Sequence, residues 1–333
     1  MHMAIRTFAF TLIAILLFFP TSSANALEKD ILQAVVGIET TVPSDARTAR
    51  FLGTKRQGSG VVIDNEGLVL TIGYLILEAE GAIVTGPGGT QSSAKIVAYD
   101  HDSGFGLLRM KKPLSIKPIR LGDSKKLRIQ DQVLVASRAG PQPVIPARIV
   151  SRRVFTSGWE YLLENAIFTT PPHSFHSGAA LIGGDGKLVG IGSLIVDNAV
   201  APNIHSPGNM FVPVNAIKPV LADLLEHGRR QSAPRPWIGA NTIEMRDRVF
   251  INRVSKDGPA SKAGLRPGNL VAGVNGKMVR SQEDFYRKLW QGHTSGDVIR
   301  LNVLPRLASD PVIQEFLIKS ISRFEWLKLK PTL

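Results

Sequence analysis

The chain offers few side chains that could do chemistry unaided. Cysteine is absent from all 333 residues, so there is no thiol nucleophile, no thiolate metal site and no disulfide. His101, His173 and His176 have no acidic partner at ligand spacing, and neither a metal nor any other cofactor is expected. The basic pairs Lys125-Lys126, Arg152-Arg153 and Arg229-Arg230 contribute to a formal net charge of +13. They lack the interleaved aromatics of a single-strand binding platform, so nucleic acid is not an expected partner. They read as solvated surface, with attraction to anionic lipid heads or cell-wall polymer as the alternative. What the hydroxyl and imidazole groups do depends on the elements that place them.

With 44% hydrophobic and 20% charged residues, the chain can bury a substantial core, and its length allows two to three domains. The 31 Gly and 21 Pro favour a turn-rich architecture over helical bundles. Arg6, an apolar run from Phe8 to Phe19 and the small residues Ala24-Asn25-Ala26 read as a secretory signal peptide over residues 1–26, cleaved before Leu27. The run is shorter than the ~20 residues that span a bilayer. The mature protein is therefore expected to be exported, to a periplasm or the medium; a retained anchor is the alternative.

From Ile31 to Val214 short β-branched runs alternate with Gly, Pro, Asp and Asn. Candidate strands include Gly60 to Ile63, Leu68 to Ile72, Gly81 to Thr85, Ser93 to Asp100 and Gly106 to Met110. A second set includes Gln132 to Ser137, Val144 to Val154, Ala179 to Ile182, Leu188 to Val196 and Asn209 to Pro213. Two sets divided near Pro118 to Lys125 predict two packed β-barrels. Val214, Ile217, Val220, Leu221, Leu224 and Leu225 recur at helical spacing and predict a helix to His227, with Asn215 as its cap and Gly228 as its stop. The polar, proline-punctuated residues 229–234 read as a linker. Beyond it, strands alternate with helices at Ala260 to Ala263 and Ser281 to Trp290, the latter capped by Ser281.

The runs Gly58-Ser59-Gly60-Val61-Val62-Ile63 and Gly67-Leu68-Val69-Leu70-Thr71, then Leu107-Leu108-Arg109-Met110, Leu121-Gly122-Asp123-Ser124, Ser177-Gly178 and Gly186-Lys187-Leu188-Val189-Gly190-Ile191, follow one another in order. In this order they resemble the HtrA (DegP-type) serine proteases, trypsin-like enzymes followed by PDZ domains. The resemblance covers nearly all of residues 30 to 323. It implies a mainly β protein: a trypsin-like double β-barrel over 27–228, the linker 229–234, a PDZ domain over 235–323 and a basic tail over 324–333.

In that family a Ser attacks the carbonyl, a His accepts its proton and an Asp orients the imidazole. The resemblance places Ser177 at the nucleophile position, but Tyr74 at the histidine position, Gly104 at the aspartate position and Phe175 where a glycine supplies an oxyanion-hole N–H. A phenol with an ordinary pKa near 10 is a poor general base at neutral pH. His173 and His176, adjacent to Ser177, point elsewhere from the same turn. His101 would need a loop rearrangement, and Asp102 has no histidine to orient.

Asp257-Gly258-Pro259-Ala260-Ser261-Lys262-Ala263-Gly264-Leu265 and Val274-Asn275-Gly276-Lys277 resemble the PDZ core of the same proteases. The resemblance makes Trp237, Ile238, Gly239 and Ala240 the loop whose N–H groups hold a peptide's terminal carboxylate, with the adjacent strand edge taking the ligand as an added strand. A role limited to docking on the barrel or to oligomer contacts is the alternative for this domain. Together these readings predict a non-catalytic homologue that binds peptides, unfolded proteins or a partner, with homo-oligomers within reach of the family. The competing expectation is a working serine endopeptidase that uses Ser177 in a rearranged site.

Overall fold

The computed structural model describes residues 31–138, 143–306, 312–327 and 329; the expected signal peptide lies outside them. Among the described residues no helix is long and apolar enough to cross a membrane.

Six strands close the first barrel: β1 (Val35–Thr41), β2 (Lys55–Val62), β3 (Leu68–Ile72), β4 (Gly81–Thr85), β5 (Gln91–Tyr99) and β6 (Phe105–Met110), in the order β1-β2-β3-β6-β5-β4. Six more close the second: β7 (Gln132–Ala136), β8 (Val144–Ser157), β9 (Tyr161–Thr170), β10 (Ala180–Ile182), β11 (Leu188–Val196) and β12 (Gly208–Pro213), ordered β10-β11-β12-β9-β8-β7. Every neighbouring pair is antiparallel. Alternation sets the faces: in β4, Ala82 and Val84 are buried while Ile83 between them is exposed. One apolar core runs through both barrels, joining Val61, Leu70, Phe105 and Leu107 to Phe168, Ile191 and Met210.

The barrels meet at the turn that carries Ser177. Ser59 N–H donates to the Ser177 carbonyl at 2.8 Å, and Ser59 Oγ lies 2.9 Å from Ser137 Oγ of the second barrel. A third set of strands forms a separate sheet: β13 (Ala240–Met245), β14 (Arg248–Val254), β15 (Leu270–Val274), β16 (Lys277–Met278), β17 (Val298–Leu304) and β18 (Gln314–Lys319). Its order is β13-β14-β15-β17-β18, with β16 on β15. The helix Gln282–Trp290 covers this sheet, burying Phe285, Tyr286 and Leu289, and Ser281 Oγ accepts the Asp284 N–H at 3.0 Å as the expected cap.

Three sequence expectations are corrected here. The helix expected from Val214 is α-helical only over Leu221–His227, after 3-10 turns at Val214–Ala216 and Lys218–Val220. Pro219 cannot supply the N–H that a continuous helix needs. Asn215 caps nothing: its side chain bonds Ser124 N and Asp123 Oδ1. Strand β9 was not expected, because Glu164 and Asn165 interrupt its apolar run and Asn165 takes a φ of 54°. At the start of the basic tail, Arg323–Leu327 is helical and Trp326 packs on Trp237 with ring centroids 4.9 Å apart.

Candidate active site and peptide-binding loop

The end of β3 and the turn before β10 bring Tyr74 and Ser177 together across the interface of the barrels. Tyr74 Oη is 2.8 Å from Ser177 Oγ and 2.8 Å from the Ser193 carbonyl oxygen. The phenol has one proton and two acceptors in reach. Either it donates to Ser177 Oγ, or it donates to the carbonyl, which can only accept, and the serine hydroxyl then donates to Tyr74 Oη. Neither arrangement takes the proton from the serine. Burial pushes the phenol up to about 12, only partly offset by the bond to Ser177, so at neutral pH it stays protonated.

At Gly104, the position to which the family resemblance assigns the orienting aspartate, the chain carries no side chain. Gly104 has a φ of 84°, its carbonyl accepts the Gly73 N–H at 2.7 Å, and a Cβ built on it would lie 3.3 Å from Tyr161 Oη. Tyr161, from β9, fills this space and donates to the Ser103 carbonyl at 2.6 Å. The acidic residues of the same loop face arginines in the linker and at the first PDZ residue. Asp100 makes two 2.7 Å bonds to Arg230, and Asp102 lies 3.3 Å from Arg235. Burial raises Asp102 against the pull of both arginines.

Phe175 does not adopt a positive φ, and its N–H donates to His173 Nδ1 at 3.0 Å. The amide that the family resemblance assigns to an oxyanion hole is thus engaged inside its own turn. His173 is buried, and its N–H is held by Asn209 Oδ1 at 2.6 Å. His176 Nδ1 is 3.2 Å from the Ser174 carbonyl, and burial lowers its pKa. The His101 ring is wedged edge-on between Tyr99 and Phe324, with centroids 4.3 and 4.4 Å away, and burial holds it neutral. Among the described residues no group of three His, Asp or Glu side chains converges as a metal site.

Trp237, Ile238 and Gly239 lead into β13, which opens at Ala240, and all four residues are buried. Gly239 has a φ of 76°, and a Cβ there would come within 2.9 Å of the Trp237 ring. The loop amides converge on Glu160, at the tip of the β8–β9 hairpin: Oε1 accepts from Gly239 N at 2.6 Å and Ala240 N at 3.0 Å, and Oε2 from Ile238 N at 3.1 Å. Glu160 was missed in the sequence. A lone acid in Trp159-Glu160-Tyr161-Leu162-Leu163, a run otherwise aromatic and aliphatic, was the available sign that it is buried.

Comparison with known proteins agrees with this architecture. A trypsin-like peptidase domain model matches residues 58–191 and a PDZ domain model matches residues 236–306. The serine protease Do-like HtrA of Bacillus subtilis is 23% identical over 323 residues, covering 85% of this chain and 70% of that protein. The periplasmic serine endoprotease DegP of Salmonella typhimurium is 28% identical over 237 residues, 67% of this chain and 49% of DegP, so the chain spans about half the length of that relative. Among solved structures, the HtrA-type protease AlgW with a decapeptide superposes with a TM-score of 0.55 at 19% identity, covering 90% of this chain and 99% of that one. A serine endoprotease from Yersinia pestis gives 0.52 at 23%, covering 91% and 99%. The chain is thus a trypsin-like double barrel joined to a PDZ domain. It is a homologue of the HtrA/DegP-type serine proteases.

Proposed function

We propose that this chain is an exported HtrA-type homologue that does not hydrolyse peptide bonds and acts by binding polypeptides. The observation that carries the reading is the Tyr74–Ser177 pair: the group 2.8 Å from Ser177 Oγ is a protonated phenol with a raised pKa. An unassisted serine hydroxyl is a weak nucleophile at neutral pH. Two further features support it, the backbone at Gly104 where an orienting carboxylate would stand and the Phe175 amide engaged by His173. Export is supported by the sequence of residues 1–26 and by relatives described as periplasmic.

Polypeptide binding is assigned to the PDZ domain, at the edge of β13 beside the helix Gln282–Trp290, with the former substrate cleft as a second surface. Incubation of the mature protein with unfolded casein, beside its Ser177→Ala variant, tests the central part of this reading. Equal, background-level cleavage by both supports it; turnover that Ser177→Ala abolishes overturns it.

A further inference from the structure

The β8–β9 hairpin ends in Gly158-Trp159-Glu160, and at this tip Glu160 is buried against the PDZ domain while Trp159 is exposed. It engages the domain in three ways at once. The Glu160 carboxylate takes the amides of Ile238, Gly239 and Ala240. The Gly158 carbonyl accepts Thr242 N–H at 3.0 Å, on the edge of β13 that β14 does not use. Leu162, 7% exposed, joins the apolar core of the PDZ domain with Ile238, Phe285 and Leu289.

More contacts hold the tip from the other side. Tyr286 Oη donates to the Ser157 carbonyl at 2.9 Å, Arg323 Nη1 to the Trp159 carbonyl at 3.1 Å, and Arg287 pairs with Glu164 at 2.7 Å. Glu160 is held at a φ of 56°, a conformation that non-glycine residues adopt only where surrounding contacts impose it.

Strand-addition recognition combines a carboxylate held by loop amides, main-chain bonding to a sheet edge, and an apolar side chain in a pocket. The hairpin supplies each of these from within the chain. We infer that the β8–β9 hairpin is the resident ligand of the PDZ domain, its Glu160 side chain standing in for a peptide's terminal carboxylate. A peptide with a free C-terminal carboxylate reaches the three amides only when Glu160 has left them. This last step rests on the proposed polypeptide-binding role; the resident-ligand assignment does not.

Hydrogen–deuterium exchange on the full-length protein tests the assignment without any ligand, in wild type, Glu160→Ala and Glu160→Gln. Exchange at residues 238–240 is expected to be on the order of tenfold faster in Glu160→Ala and intermediate in Glu160→Gln, with β3 and β6 unchanged. If Glu160→Ala loses protection throughout, the isosteric Glu160→Gln variant decides. Unchanged protection at residues 238–240 in the deciding variant overturns the inference.

A second arm measures capture of pooled hexapeptides with free C-terminal carboxylates, beside the same pool amidated. Roughly tenfold better capture of the free-carboxylate pool by Glu160→Ala than by wild type is expected. Wild type capturing it as well as the variant would also overturn the inference. Selective loss of protection with no capture by any form upholds the resident ligand and counts instead against the polypeptide-binding role.

Discussion

Tyr74 Oη and Ser177 Oγ stand 2.8 Å apart, and the phenol also reaches the Ser193 carbonyl. The phenol thus shares a proton with the serine hydroxyl rather than removing one. Tyr74→Phe removes this bridge and leaves two polar groups without it. A loss of about 1 kcal/mol in denaturant-measured stability is expected, with no gain of hydrolysis.

Tyr74→His is expected to remain inactive on unfolded casein. The imidazole would find no carboxylate at Gly104, and the Phe175 amide would still be bonded to His173. Groups that act as a unit are not restored one at a time. Robust turnover by this single variant would show that orientation by a third residue is dispensable here.

Gly104→Asp, which would restore the missing acid on paper, is expected to destabilise the first barrel by about 1–3 kcal/mol. The φ of 84° disfavours any side chain, and the new Cβ would meet Tyr161 Oη. Urea unfolding of the variant checks this, and an unchanged midpoint would contradict it.

The strands of the first barrel were legible because each is a short β-branched run bounded by turn residues: Leu68 to Ile72 and Gly81 to Thr85 match β3 and β4 end for end. The Ser281 cap was legible for the same local reason. The docking of the two domains was not. Glu160 meets amides 78 to 80 residues further along the chain, and Asp100 meets Arg230 across 130 residues. No local pattern announces such pairs; Asp100 and Arg230 read separately as a loop acid and a linker base.

Arg230→Ala tests that second latch. It leaves the Asp100 side chain, 2% exposed, without its bidentate partner. Removing one member of a buried pair strands a charge, and a loss of about 3 kcal/mol is expected by thermal or urea unfolding. Arg230→Lys should recover only part of it, because an ammonium cannot make the forked pair of bonds.

The Glu160 contact also carries a pH dependence. Burial raises its carboxyl to about 7 against the opposing pull of the three amides and Arg323, and the Tyr286 phenol accepts the Glu160 backbone N–H. A pKa raised above the ordinary value of 4.5 contributes stability that is complete below that value and lost as the pH rises through about 7. Wild type is therefore expected to lose stability relative to Glu160→Gln between about pH 5 and about pH 8. A constant difference over that range would contradict the assignment.

The most direct measurement of the central claim is labelling of the mature protein with a fluorophosphonate probe, which reacts only with an activated serine. Ser177 is partly exposed. The phenol-bound serine is expected to stay unlabelled at neutral pH, with wild type and Ser177→Ala indistinguishable after mass analysis. Stoichiometric phosphonylation at Ser177 would contradict the account and restore a working hydrolase.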